Sequence, residues 1–112
     1  MSQIRKFIPI LSDYRQTVAI EKALYPEEEI TIQNWKWHDR QIQPNVVFSR
    51  WVGEVDGQIV SHGYFNQQDS ADSGGHFTIH IAVHPQHQNH GYGSELFLHL
   101  QRMLTAKKQK WG

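Results

Sequence analysis

The chain has 112 residues, in which 11 lysines and arginines balance 11 aspartates and glutamates, and it contains no cysteine. This length predicts a single domain, residues 1–112, with a small core. A formal net charge of zero gives no field that attracts nucleic acid, which argues against a nucleic-acid partner. The lack of cysteine excludes disulfides, thiolate catalysis and a cysteine-based zinc site.

The first eleven residues do not form a targeting segment. They carry Arg5 and Lys6, and their short apolar stretch is interrupted by Pro9. No apolar run approaches the ~18 residues of a transmembrane helix, and there is no signal-peptide core. We therefore expect a soluble, cytoplasmic protein with no membrane partner.

The first predicted elements are a strand and a helix. Residues 4–8 mix apolar and basic side chains and favour a strand that Pro9 ends. Ser12 and Asp13 offer an N-cap for a helix over residues 14–24. The residues expected on its inner face are Tyr14, Val18 and Ala19.

A second helix is predicted after Pro26. The three glutamates at 27–29 suit its first turn, where carboxylates meet the positive end of the helix dipole. The helix would reach about Arg40. Residues 30–32 also favour a strand, because two of them are isoleucine and one is threonine.

The clearest local signal is a hairpin. Two β-rich runs, 46–55 and 58–65, flank Asp56-Gly57, and both positions of such a tight turn need a positive φ. A polar loop follows at 66–75, and the sequence HFTIHIAV predicts another strand over 76–83.

The last predicted element is a helix over residues 94–110, with apolar side chains at helical spacing. The predicted order is therefore β-α-α-β-β-β-α. This is an α+β fold with a mainly antiparallel sheet.

The junction between that strand and that helix predicts an anion site. Gly91 and Gly93 let backbone N–H groups approach a ligand, and the first helical turn adds unpaired donors and a partial positive charge. Two glycines alone are a weak signal. The dinucleotide-binding fingerprint fails because its third glycine position is Leu96, and no Gly-Lys-Ser/Thr loop occurs.

The wider pattern resembles the acetyl-CoA motif of the GNAT superfamily of N-acetyltransferases. It reads Val83-x-Pro85-x-x-Gln88-x-x-Gly91-x-Gly93-x-x-Leu96. The hairpin over residues 51–63 is similar to the second and third strands of the family, and the first residues are similar to its first strand and helix. The resemblance covers nearly the whole chain.

The resemblance implies an enzyme that transfers acetyl from acetyl-CoA, as cosubstrate, to a primary amine of a small molecule or peptide by direct attack on the thioester. It implies that main chain at the strand end binds pantetheine and that the loop binds pyrophosphate. Asn89 and His90 depart from the family, which often has a basic residue there. The implied cofactor-binding residues are Ile81, Val83, Gln88, Asn89, His90, Gly91, Tyr92, Gly93 and Ser94.

In the family, further strands and a helix that often supplies the general acid follow this motif. The chain stops at Gly112, so we expect a truncated domain that lacks the C-terminal strands and helix, or a half-domain completed by a second chain. A non-catalytic CoA-binding or assembly module is the alternative. The open edge of the 76–83 strand favours a homo-oligomer.

Three residues are candidate general bases for deprotonating the amine: His76 and His80, on one strand face, and Glu54, on the hairpin. Each of them also suits a surface or packing role. Trp35 and Trp37 suit either an acceptor pocket or the core.

A metal-binding domain is a third hypothesis, because His84, His87 and His90 recur at every third residue. Pro85 breaks any helical face there, and no carboxylate lies within the cluster. We therefore predict no metal site at these histidines.

Overall fold

A computed structural model describes residues 2–41, 48–67 and 77–111, which form a four-stranded sheet and three helices. The sheet order is β1-β2-β3-β4, and every pair is antiparallel. The predicted α+β class and element order are confirmed. The elements are β1 (Gln3–Lys6), α1 (Leu11–Leu24), α2 (Ile32–Gln41), β2 (Phe48–Val55), β3 (Gln58–Gln67), β4 (Phe77–Val83) and α3 (Tyr92–Trp111).

The start of α1 corrects the predicted cap. The N-cap position is Ile10, which makes no side-chain cap. Asp13 instead lies inside the helix, accepts a hydrogen bond from the Ile8 N–H at 2.8 Å and pairs with Arg5. Tyr14 and Val18 are buried as predicted, whereas Ala19 is exposed and the adjacent Ile20 is buried.

The start of α2 corrects a second prediction. The glutamates at 27–29 precede the helix, and the helix begins at Ile32. Thr31 supplies the cap, because its hydroxyl accepts the Asn34 N–H at 3.0 Å. Residues 30–32 do not form the alternative strand, because Thr31 caps the helix and Ile32 is its first residue.

The predicted hairpin is confirmed. Asp56 has φ of 52° and Gly57 has φ of 78°, as a two-residue turn of this kind requires. The runs themselves begin and end within a few residues of their predicted limits. The predicted loop and strand residues at 46–47 and 68–76 lie outside the described residues.

The helices cover the two faces of the sheet. On the α1 face, Ile20 packs with Val52, Ile59 and Ala82. On the α3 face, Phe65 packs with three leucines at helical spacing: Leu96, Leu100 and Leu104. None of the described helices is long and apolar enough to cross a membrane.

Two glycines bring α3 close to the sheet. A Cβ at Gly63 would lie 2.9 Å from Ile81 Cδ1 and 3.0 Å from Leu96 Cδ2. A Cβ at Gly93 would lie 3.2 Å from Val83 Cγ2. The N-terminal end of α3 is therefore held directly against the end of β4.

Candidate active site

The connection from β4 to α3 is a tightly curled loop. A 3-10 turn over Pro85–His87 follows the strand, and the His84 Nδ1 accepts the Gln86 N–H at 3.1 Å. Asn89 and Gly91 then adopt positive φ values of 69° and 80°. Nothing lies within 4 Å of the position of a Cβ at Gly91, so the backbone there is open to a ligand.

The backbone amides of this loop are available. Helix α3 is closed at its start by the Glu95 N–H, which donates to the Gly91 carbonyl at 3.0 Å. Among the described residues, no acceptor is hydrogen-bonded to the N–H groups of residues 89–94. Donors at the positive end of a helix form an anion-binding cradle.

The end of β4 presents its main chain beside this cradle. The His84 N–H donates to the Val60 carbonyl at 3.0 Å. In an antiparallel pair the hydrogen-bonding direction alternates along the strand, so the N–H and C=O groups of Ile81 and Val83 point away from β3. The Gln88 side chain contacts the Val83 carbonyl at 3.4 Å.

These groups line a cleft of about 470 Å³ between β4 and α3, which we call the β4–α3 cleft. The loop and the start of α3 form one side, with the lining residues His87, Gln88, Asn89, Gly91, Tyr92, Gly93 and Ser94. The main chain at 81–83 forms the base, and Leu24 and Tyr25 at the end of α1 form the far wall. The cleft therefore has a polar cradle at one end and a strand edge along its length.

A larger cavity, about 780 Å³, lies beside it on the α1 face, and we call it the aromatic cavity. Tyr25 lines both spaces. The cavity is walled by four aromatic rings: Tyr25, Trp35, Phe48 and Tyr64. Its charged lining residues are Glu21, Glu28, Asp39 and Arg50.

Arg50 is already paired within this cavity. Its guanidinium binds Asp39 at 3.0 Å and lies over the rings of Trp35 and Phe48, about 5 Å from each centroid. Its charge is therefore locally compensated, and the carboxylates of Glu21 and Glu28 give the cavity a negative balance.

Glu21, His62 and His80 meet at the inner end of the aromatic cavity. Glu21 Oε1 lies 3.2 Å from His62 Nδ1 and 2.7 Å from His80 Nε2. Glu21 and His62 are buried, whereas His80 is partly exposed to the cavity. Burial alone would raise the pKa of Glu21, but hydrogen bonds from His62 and His80 lower it to about 2. Burial lowers the pKa of His62, so its imidazole is neutral at neutral pH.

A family model described as "Acetyltransferase (GNAT) family" matches residues 13–110 of the chain. The chain is a member of the GNAT acetyltransferase family.

Solved structures show the same fold at low identity. A ribosomal-protein-alanine N-acetyltransferase from Brucella melitensis superposes with a TM-score of 0.75 at 19% identity, over 95% of this chain and 68% of its own. A GNAT family acetyltransferase from the same organism, in complex with acetyl-CoA, gives 0.69 at 19% identity over 96% and 70%. A tandem GNAT protein from the clavulanic acid biosynthesis pathway gives 0.75 at 17% identity over 96% of this chain and 34% of its own. No curated protein sequence matches the chain.

The structure describes two of the three candidate bases of this GNAT domain. His80 lies in the aromatic cavity. Glu54 is on β2 and is bound to the Arg5 guanidinium, which also pairs with Asp13. His76 lies outside the described residues. Among the described candidates, only His80 therefore faces a space large enough for a substrate.

The other sequence candidates divide in the same way. Trp35 lines the aromatic cavity, whereas Trp37 is 55% exposed on the opposite side of α2. The His84 and His87 rings lie 5.7 Å apart, and His90 packs on Tyr92. Within the described residues, those three histidines do not form a metal-spaced group.

Sequence reasoning missed Glu21 and His62. The available signal was periodicity, because Asp13, Thr17 and Glu21 repeat every four residues on the buried face of α1. A charged residue at an inward position is rarely buried without a partner. That pattern indicates a polar contact beneath the helix, although it does not identify the partner.

The depressed pKa of Glu21 predicts a pH-dependent stability. Its pKa falls from 4.5 to about 2 on folding, so the unfolded chain binds the proton more readily. The stabilisation is complete above about pH 5 and is lost as pH falls toward 2. It is on the order of 3 kcal/mol, since each unit of displacement is worth about 1.4 kcal/mol.

The measurement is urea unfolding from pH 7 to pH 2, with Glu21→Gln as the matched variant. The free energy of unfolding of the wild type should fall more steeply than that of the variant. Parallel curves for the wild type and the variant would show that folding does not lower the pKa of the Glu21 carboxyl.

Proposed function

We propose that the chain binds acetyl-CoA in the β4–α3 cleft and transfers the acetyl group to a primary amine of a small molecule or peptide in the aromatic cavity. The observation that carries the proposal is the row of unpaired amides at residues 89–94, set beside the main chain of Ile81 and Val83 that points away from β3. Family membership supports acetyl transfer in general.

The chemistry of the β4–α3 cleft fits the cosubstrate. Pyrophosphate suits the backbone N–H groups of the loop from Gln88 to Gly93, to which Ser94 adds a hydroxyl. Pantetheine carries amides, which suit hydrogen bonds to the main chain of Ile81 and Val83. When bound, acetyl-CoA supplies the activated acyl group.

The aromatic cavity fits an amine acceptor. An amine enters as an ammonium ion, and aromatic faces together with carboxylates attract cations. Tyr25 lines both the cavity and the cleft, so an acceptor in the cavity would lie next to a cosubstrate in the cleft. The amine must lose a proton before it can attack the thioester carbon.

His80 accepts that proton in our proposal, and Glu21 positions it. An ionised carboxylate can only accept hydrogen bonds, so the 2.7 Å contact places a proton on His80 Nε2. Neutral His80 then has its lone pair on Nδ1, ready to take a proton from the amine. His62 contacts the same Glu21 oxygen as His80 does, and this second contact holds the carboxylate in position.

The test has two parts. Calorimetric titration with acetyl-CoA should show binding to one site, and incubation with a panel of primary amines should release free CoA. Binding without turnover across the panel would favour the alternative, a non-catalytic CoA-binding or assembly module. No binding of acetyl-CoA would refute the cleft assignment.

We also propose that two copies associate in the cytoplasm through the face of α3 that lies beside β4. Phe97 and Leu98 on this face are 42% and 50% exposed. Exposed apolar side chains that lie next to one another favour association. Light scattering across a concentration series should show a dimer, and a Leu98→Lys variant should shift it toward the monomer.

A further inference from the structure

The cluster of Glu21, His62 and His80 has the composition and spacing of a metal site. Each residue offers one ligand atom, and the three atoms lie within 4.8 Å of one another. They come from α1, β3 and β4, so the packing of three separate elements sets their positions. Within the part of the chain that the structure describes, this is the one group of three or more such residues.

We propose that Glu21, His62 and His80 bind a divalent transition-metal ion, with Zn²⁺ as the expected type. Two imidazoles and one carboxylate are a ligand set that zinc accepts, with the fourth position left to solvent or substrate. The ion takes the place between the carboxylate and the two rings that N–H hydrogens now occupy, so each neutral ring binds it in its other tautomer, with the proton on the ring nitrogen that does not ligate.

The observed distances are close to those of a bound ion. Ligand atoms ~2.0–2.1 Å from a tetrahedral zinc lie about 3.3 Å from one another. The contact of Glu21 with His62 is 3.2 Å and that with His80 is 2.7 Å. The three atoms all lie within 4.8 Å of one another. Of the two contacts of Glu21, only that with His80 must lengthen, and His80 lies on an edge strand with its side chain 25% exposed.

The burial of His62 is a second observation. Its side chain is fully buried, its one hydrogen bond is to Glu21, and no described atom pairs with its Nε2. The 3.2 Å contact sets Nδ1, and not Nε2, as the nitrogen that faces the other two residues of the cluster. Ligation through Nδ1 would account for a fully buried histidine held against a buried carboxylate at this position.

The ion has a route and an open coordination position. Glu21 and His80 line the aromatic cavity, which leads to solvent. A bound ion would take the contact between Glu21 and His80 Nε2 that we assign to orienting the base. Metal binding and acetyl transfer should therefore exclude each other at this cluster.

The experiment is a titration of the metal-free full chain with Zn²⁺ in the absence of acetyl-CoA, followed by Co²⁺ as a spectroscopic probe. We expect one site and the visible absorption of a low-coordinate Co²⁺. His80→Ala and Glu21→Gln should each weaken Zn²⁺ binding by about tenfold or more. Because no acetyl-CoA is present, the result does not depend on whether the chain is a transferase.

The matched control is the double variant His84→Ala/His87→Ala, which removes two histidines that lie outside the cluster. It should bind Zn²⁺ as the wild type does. His80→Ala is the main variant, since a partly exposed edge position tolerates truncation, and circular dichroism verifies its fold. Binding that survives His80→Ala, that is lost in the control, or that is absent from the wild type would overturn the proposal and leave a proton-bridged ion-pair cluster.

Discussion

Replacing His80 with alanine should lower kcat for acetyl transfer by roughly 10²–10⁴-fold, the usual contribution of a positioned general base. The acetyl-CoA dissociation constant should stay within about twofold, because His80 does not line the β4–α3 cleft. The measurement is CoA release under saturating acetyl-CoA, alongside a calorimetric titration of the same variant. Loss of turnover with intact cosubstrate binding locates the defect in the acceptor cavity.

Glu54→Gln is the companion variant, because both residues are candidate bases on sequence grounds. Glu54 is held by Arg5 and is not a lining residue of the aromatic cavity. We expect its kcat to remain within about threefold of the wild type, since loss of a partly exposed ion pair costs ~1 kcal/mol of stability or less. A larger loss in Glu54→Gln than in His80→Ala would reverse the assignment of the base.

Replacing Gly91 with alanine should weaken acetyl-CoA binding by roughly 5–30-fold. The φ of 80° at Gly91 costs an L-residue ~1–2 kcal/mol, which the loop can relieve by turning its amides away from the cradle. Binding must then restore the strained conformation. Calorimetric titration with acetyl-CoA measures the change.

Gly57→Ala provides a matched control. Gly57 has a φ of 78°, and nothing lies within 4 Å of its added Cβ, as at Gly91. It lies in the hairpin turn and lines neither the β4–α3 cleft nor the aromatic cavity. Gly57→Ala should lose stability in urea and keep its affinity for acetyl-CoA, whereas Gly91→Ala should lose affinity. Equal affinity in the two variants would mean that the loop does not bind the cosubstrate.

The parts of the fold that the sequence predicted well are governed by local chemistry. Asp56-Gly57 specifies its turn because only such residues accept two positive φ values in succession. Gly91, with its positive φ, marks the loop before α3 for a related reason, and the apolar spacing that follows fixes the buried face of that helix. In each case the deciding contacts lie within a few residues along the chain.

The parts that were missed depend on contacts distant in sequence. Glu21 meets His62 and His80 only after α1 packs on the sheet, and separations of 41 and 59 residues leave no local pattern. The start of α2 was placed too early because the glutamates at 27–29 suit a first turn. The Thr31 hydroxyl, hydrogen-bonded to Asn34, sets the boundary instead.

The end of α1 serves both spaces at once. Glu21 belongs to the aromatic cavity, Leu24 to the β4–α3 cleft and Tyr25 to both, all within little more than one helical turn. If binding of one substrate tilts this turn, the shape of the binding site for the other substrate therefore changes as well. Under the proposed function we therefore expect the affinities for the acyl donor and the amine to be linked, so that kinetic constants for the two change together when Tyr25 is altered.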